Sequence, residues 1–85
     1  MSHGEHTPAD RQDLDGLVLG IWREVLSGPV GPDDDFFALG GDSIKAGQIV
    51  ARLRKQARTG LSLAEFLAEV STPRELAALV RAKAV

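Results

Sequence analysis

Ser43 is the side chain in this sequence with the most chemistry to offer. It closes the turn-rich segment Asp34-Asp35-Phe36-Phe37-Ala38-Leu39-Gly40-Gly41-Asp42-Ser43-Ile44, at the point where an amphipathic helix begins. A serine at a helix start presents its hydroxyl beside unpaired backbone amides and the positive end of the helix dipole, a setting that favours an attached phosphate group. Asp42 is a natural N-cap, with a carboxylate able to accept a hydrogen bond from one of those amides. Gly40 and Gly41 remove side chains just ahead of the serine, which permits a sharp chain entry and close approach by an enzyme that modifies it. The chain offers no evident base for the hydroxyl, since its histidines, His3 and His6, fall in the polar N-terminal segment. Activation is therefore assigned to a partner enzyme, and no catalytic residue is assigned to the chain itself.

Other motifs carry less. Asp33-Asp34-Asp35 lacks the alternating oxygen ligands and twelfth-position glutamate of a calcium-binding loop, so it reads as a solvated acidic turn and no metal is assigned. Gly41-Asp42-Ser43 resembles the opening of a nucleophile elbow, but Lys45 stands where that motif needs its second glycine, and the chain is too short for the accompanying sheet. Arg52, Arg54, Lys55 and Arg58 form a basic run that reads as a solvated helix face or a protein dock.

The chain has 85 residues, enough for one small domain that buries only roughly 60–65% of its unfolded surface. With no cysteine it has no disulfide, thiolate metal site or cysteine nucleophile, which fits a reducing cytoplasm. A formal net charge of −2 argues against a general nucleic-acid binder, because neutralising phosphates demands excess positive charge. The longest apolar run, Leu17 to Trp22, falls far short of the roughly 20 residues of a membrane span. No secretory signal pattern opens the chain.

Four helices are expected to position Ser43. Leu14, Leu17, Val18, Ile21, Trp22, Val25 and Leu26 follow the spacing of one helical face, with a start expected around Thr7-Pro8-Ala9-Asp10. Gly16 and Gly20 inside that helix read as tolerated glycines. Ser27 to Gly41 predicts a long loop that Phe36, Phe37 and Leu39 pin onto the helices. A second helix is predicted from Asp42 or Ser43 to about Arg58, with Ala46, Ile49, Val50, Leu53 and Ala57 facing inward. Ser62-Leu63-Ala64-Glu65 and Thr72-Pro73-Arg74-Glu75 read as capping boxes, opening a short third helix to about Glu69 and a fourth that presents Leu76, Leu79 and Val80. The expected fold is all-α, a small four-helix bundle of three longer helices and one short one.

The Asp34–Ser43 segment, with Ile21-Trp22-Arg23-Glu24-Val25-Leu26 in the first helix, resembles peptidyl carrier proteins, the thiolation domains of nonribosomal peptide synthesis. The resemblance extends over about Leu14 to Val80. It implies that Ser43 receives 4'-phosphopantetheine from coenzyme A, through a phosphopantetheinyl transferase acting with magnesium. The arm's thiol then holds an aminoacyl or peptidyl group as a thioester. The reactions belong to adenylation, condensation or tailoring enzymes that dock on the carrier. The expected organisation is a flexible tail over 1–7 and a carrier domain over 8–85, monomeric and cytoplasmic. The sequence leaves open whether the carrier is free-standing or part of a longer synthetase, with Met1 and the short tails leaning to the former.

Two departures from the family pattern stand out. Relatives often show an L-F pair followed closely by P-T, whereas this chain has Phe66-Leu67 and then Val70-Ser71-Thr72-Pro73, which puts the third helix's boundary in question. Asp42 also stands where many such carriers have histidine. Docking is expected around the arm, on Leu39, Asp42, Ile44 and Lys45, with Ile44 off the inward row of its helix and so either an exposed anchor or a packed side chain. Two rival functions are an acyl carrier of polyketide or fatty-acid synthesis and a non-catalytic helical docking module. The basic second helix favours peptide over fatty-acid chemistry.

Overall fold

The computed structural model describes the backbone of residues 6–83 and the side chains of 14–83. Among these residues the order is α1 (His6–Leu26), α2 (Ser43–Gln56), α3 (Leu63–Glu69) and α4 (Pro73–Lys83), with no strand. The all-α bundle of three longer helices and one short one is therefore what the chain forms.

α1 begins at His6, earlier than the start expected near Pro8. Pro8 then lies in the first turn, where the amide it lacks has no acceptor within the helix, so it does not delay the helix. Residues 1–5 of the expected tail, with His3, lie outside the described residues. The periodic face behaves as its spacing predicts: Val18, Ile21, Trp22 and Val25 are buried, while Leu14, Leu17 and Leu26 pack half-buried against the core. A Cβ on Gly16 or Gly20 would meet nothing within 4 Å, so neither glycine marks a close helix contact. The helix stops at Ser27, whose φ of 59° is left-handed, and the Gly28 amide donates back to the Arg23 carbonyl at 3.3 Å.

The connection from α1 to α2 is ordered by three kinds of contact. Val30 and Phe36 bury their side chains, and the Arg23 guanidinium donates to the Val30 carbonyl at 3.0 Å. The Phe36 amide donates to the Ser71 carbonyl at 2.7 Å and the Arg74 amide to the Pro32 carbonyl at 3.0 Å, so backbone groups tie the loop to the α3–α4 connection. The acidic triplet divides its work. Asp33 pairs with Arg74, Asp34 accepts from the Gly31 amide at 2.7 Å, and Asp35 accepts from the Ala38 amide at 3.0 Å. Among the described residues no group of three or more His, Cys, Asp or Glu is arranged to hold a metal.

α2 buries Ala46, Ile49, Val50 and Leu53 and ends at Gln56 rather than Arg58, because Ala57 is its C-cap and Arg58 turns left-handed with a φ of 52°. Both capping boxes form. Ser62 and Glu65 exchange hydrogen bonds at 2.9 and 3.1 Å, and Thr72 and Glu75 exchange two of 3.1 Å. α3 contributes Phe66 to the core, and α4 contributes Leu76, Ala77 and Val80. The unusual Val70–Pro73 stretch has a role: Val70 is buried after the last residue of α3, and Ser71 offers the carbonyl that holds Phe36.

α1 packs against α2 and α4, and α2 against α3. At the centre Trp22, Phe36 and Phe66 meet, with ring centroids 5.3 Å apart for Trp22–Phe36, 5.2 Å for Phe36–Phe66 and 6.1 Å for Trp22–Phe66. The loop thus supplies one of three aromatic rings that join α1 and α3, each such pair being worth about 0.5–1.5 kcal/mol beyond the area it buries. Arg52–Glu24, Arg81–Asp15 and Lys83–Glu65 bridge neighbouring helices at the surface. Such exposed pairs add little stability. Among the described residues no helix is long and apolar enough to cross a membrane.

Candidate functional site

Ser43 is the first residue of α2 and is exposed. Asp42 before it has extended backbone angles (φ −148°, ψ −177°), and its Oδ1 accepts from the Lys45 amide at 2.8 Å. Its carbonyl accepts from the Ala46 amide at 2.8 Å, which opens the helical ladder. That leaves the amides of Ser43 and Ile44 in the first turn, with no carbonyl four residues back inside the helix. No acidic side chain stands in that turn. A phosphodiester on Ser43 would meet these amides and the positive end of the dipole.

The approach to Ser43 is a tight coil over an aromatic ring. The Leu39 amide donates to the Asp35 and Phe36 carbonyls at 3.0 and 3.2 Å, Gly40 to Phe37 at 3.1 Å, and Gly41 to Phe36 at 2.9 Å. Gly40 has a φ of 92°, a conformation that side chains make costly, so its glycine provides the sharp entry expected from the sequence. Gly41 serves a different need. A Cβ there would stand 2.5 Å from Cε1, Cε2 and Cζ of Phe36, so its missing side chain makes room for this protein's own core.

The residues expected around the arm occupy one end of α2, but unequally. Ile44 is 73% exposed, which resolves its two readings in favour of a surface side chain. Asp42 is exposed, with its carboxylate engaged in the cap. Lys45 is half-buried, and its ammonium reaches the Gly40 carbonyl at 3.4 Å. Leu39 packs half-buried against the core. Phe37 differs from expectation: it was to pin the loop, yet it is 58% exposed, because its neighbour Phe36 takes the inward position. Leu63 and Leu67 of α3 are exposed as well. Sequence reasoning missed all three as surface. The signal for α3 was there, since Leu63 and Leu67 form one i, i+4 row and Phe66 and Val70 another.

A cleft of about 310 Å³ opens between α1, Pro32 and α4, lined by Asp15, Leu19, Pro32, Pro73, Arg74 and Arg81. Ser43 and its neighbours do not line it. Around that face Asp33 is held below the usual carboxylate range by its hydrogen bond from Arg74, which in turn is raised. Glu65 is lowered by its hydrogen bond from Lys83 and by the Ser62 amide.

The sequence matches the family model described as the phosphopantetheine attachment site over residues 16–80, a span that contains α1's buried face, the aromatic loop, Ser43 and most of α4. The chain belongs to the phosphopantetheine attachment-site family. It is a carrier domain, and its cofactor is phosphopantetheine. Among curated relatives it is 38% identical over 88 residues to pyochelin synthetase PchF of Pseudomonas aeruginosa, covering 95% of this chain and 5% of that protein. It is 37% identical over 73 residues to tyrocidine synthase 2 of Brevibacillus parabrevis, covering 85% of this chain and 2% of that protein. The chain therefore spans a small fraction of the curated relatives it matches. Its fold is similar to that of BlmI, a type-II acyl-carrier-protein from Streptomyces verticillus involved in bleomycin biosynthesis. The TM-score is 0.82 at 31% identity, over 98% of this chain and 100% of the other. The resemblance first read from Asp34–Ser43 thus holds for the carrier domain as a whole.

Proposed function

We propose that Ser43 is the residue of this carrier domain that receives 4'-phosphopantetheine, and that the armed chain tethers aminoacyl or peptidyl groups as thioesters for nonribosomal peptide synthesis. The observation that carries this reading is the exposed serine at the first position of α2, inside the family-matched span, with no carboxylate in the first helical turn. Transfer joins Ser43 Oγ to the phosphorus bearing pantetheine, breaks the pyrophosphate linkage of coenzyme A and releases adenosine 3',5'-bisphosphate. The serine proton goes to a base of the transferase; Asp42, the adjacent carboxylate, has its Oδ1 engaged in capping α2. With no cysteine in the chain, the thiol arrives with the arm.

On this reading the chain is a substrate of its partners rather than an enzyme. Those partners are a phosphopantetheinyl transferase, an adenylation enzyme or domain, and condensation or tailoring enzymes, in the cytoplasm. Ile44, exposed beside Ser43, is the anchor of the docking surface, with Leu39, Asp42 and Lys45 around it. A second reading, an acyl carrier, is favoured by the likeness to BlmI. The basic character of α2, with Arg54 and Lys55 in its last turn, favours peptide chemistry. Loading tests with an amino-acid-activating enzyme and an acyl-loading enzyme separate the two.

The deciding measurement is the intact mass of the chain before and after incubation with coenzyme A, magnesium and a broad-specificity phosphopantetheinyl transferase, with Ser43→Ala alongside. Gain of one phosphopantetheinyl group by the wild type and none by the variant is the expected result. A wild-type chain that is folded, initially unmodified and gains no mass overturns the assignment.

A further inference from the structure

We infer that Phe36, through its contact with Gly41, is a positioning residue for modification of Ser43, an inference that rests on the carrier reading above. Gly41 lies two residues before Ser43, and φ at Gly41 is not in the left-handed region, so backbone conformation alone does not demand glycine there. What demands it is the ring: the 2.5 Å left between a Cβ and three Phe36 ring atoms is well short of the 3.5–4.0 Å of a comfortable carbon contact. The chain leading to the serine rests directly on the ring.

The ring has no room to retreat. Phe36 is 0% exposed and meets Trp22 and Phe66 edge-on, at interplanar angles of 73° and 78°. Its backbone is held on both sides, the amide by the Ser71 carbonyl at 2.7 Å and the carbonyl by the Gly41 amide at 2.9 Å. One residue therefore links α1, α3 and the α3–α4 connection to the turn that carries Ser43. A transferase that grips the surface of this domain finds the serine at a height set by Phe36. With the ring locked, a side chain at Gly41 has to be accommodated by the turn, which lifts by about 1 Å and takes Ser43 with it. Misplacement on that scale at a reacting group costs up to about 100-fold in rate.

Single-turnover and steady-state transfer to the apo chain are compared for wild type, Gly41→Ala, Phe36→Leu, the double variant and Val80→Ala, at a temperature where circular dichroism shows each one folded. Val80 is buried in α4 and serves as a control for stability loss alone. Gly41→Ala is expected to slow transfer about 10- to 100-fold, with kcat falling more than KM rises. Phe36→Leu alone is expected to slow transfer about tenfold, because the turn loses its support, and adding Gly41→Ala to it is expected to cost less than about threefold more, because the shorter side chain clears the space. A wild-type-like rate for Gly41→Ala or for Phe36→Leu, an equal loss in Val80→Ala, or a double variant about tenfold slower than Phe36→Leu overturns the inference. Should Gly41→Ala alone not fold, the double variant is read against Phe36→Leu: rates within about threefold are expected, and a tenfold deficit overturns the inference. A wild-type chain that accepts no phosphopantetheinyl group removes both the carrier reading and this inference. A modified wild type with an equally fast Gly41→Ala removes the inference alone.

Discussion

Arg74 donates from Nε and Nη2 to the two carboxylate oxygens of Asp33, at 2.7 and 3.0 Å, and so clamps the loop that precedes α2 to the first turn of α4. The bidentate geometry holds Asp33 below its ordinary carboxylate value. A carboxylate depressed in the folded state contributes stability that is present above its unfolded pKa of about 3.9 and is lost as pH falls through the lower folded value. Glu65, depressed by Lys83, has the same sign. Asp33→Asn is expected to lower the melting temperature at pH 7 by no more than a few degrees, since the pair is exposed. The gap to wild type should close below about pH 4. Melting curves from pH 7 to pH 2 check this, and a gap that widens in acid contradicts it.

Asp42 caps α2, and capping is separable from charge. Asp42→Ala is expected to cost about 1 kcal/mol by urea denaturation, whereas Asp42→Asn, which keeps the acceptor oxygen, should cost a few tenths at most. Equal losses in the two variants would show that the carboxylate charge, and not the cap, stabilises the helix start. A transferase or adenylation enzyme that discriminates between wild type and Asp42→Asn would then be reading the charge itself.

Ile44, at 73% exposure, has little to lose in folding. Ile44→Ala should leave stability within about 0.5 kcal/mol of wild type. Loading by a partner enzyme should fall about fivefold or more, as for an interface side chain worth over 1 kcal/mol. If the melting temperature drops while loading is unchanged, Ile44 is a packing residue and the docking assignment fails.

Ser27 and Arg58 sit just past the ends of α1 and α2 with φ of 59° and 52°, a conformation that costs a residue with a Cβ roughly 1 kcal/mol. Ser27→Gly and Arg58→Gly are each expected to raise stability by up to about that amount, because glycine is the favoured residue at such helix ends. Denaturant titration reads the change. A loss of stability at Arg58→Gly would show that the arginine side chain, rather than the turn, holds that end of α2.

Much of this protein was legible in its sequence because local rules act over three or four residues. The 3.6-residue spacing of Ala46, Ile49, Val50 and Leu53 identified the inner face of α2, and the Ser62–Glu65 and Thr72–Glu75 pairs marked two helix starts within a residue. Ser43 and its Asp42 cap were equally local. The tertiary structure decided what local rules leave degenerate. Phe36 and Phe37 are the same residue type side by side, and only the space between Trp22 and Phe66 determines which one is buried. The three consecutive aspartates look alike in the chain, yet one pairs with Arg74, 41 positions away, while two close turns beside themselves. Gly40 and Gly41 read as a single pair whose missing side chains permit a sharp entry and close approach to Ser43. Folding separates them into a left-handed hinge and a contact with a ring, because the need for glycine at Gly41 comes from an atom five residues back that the core holds in place.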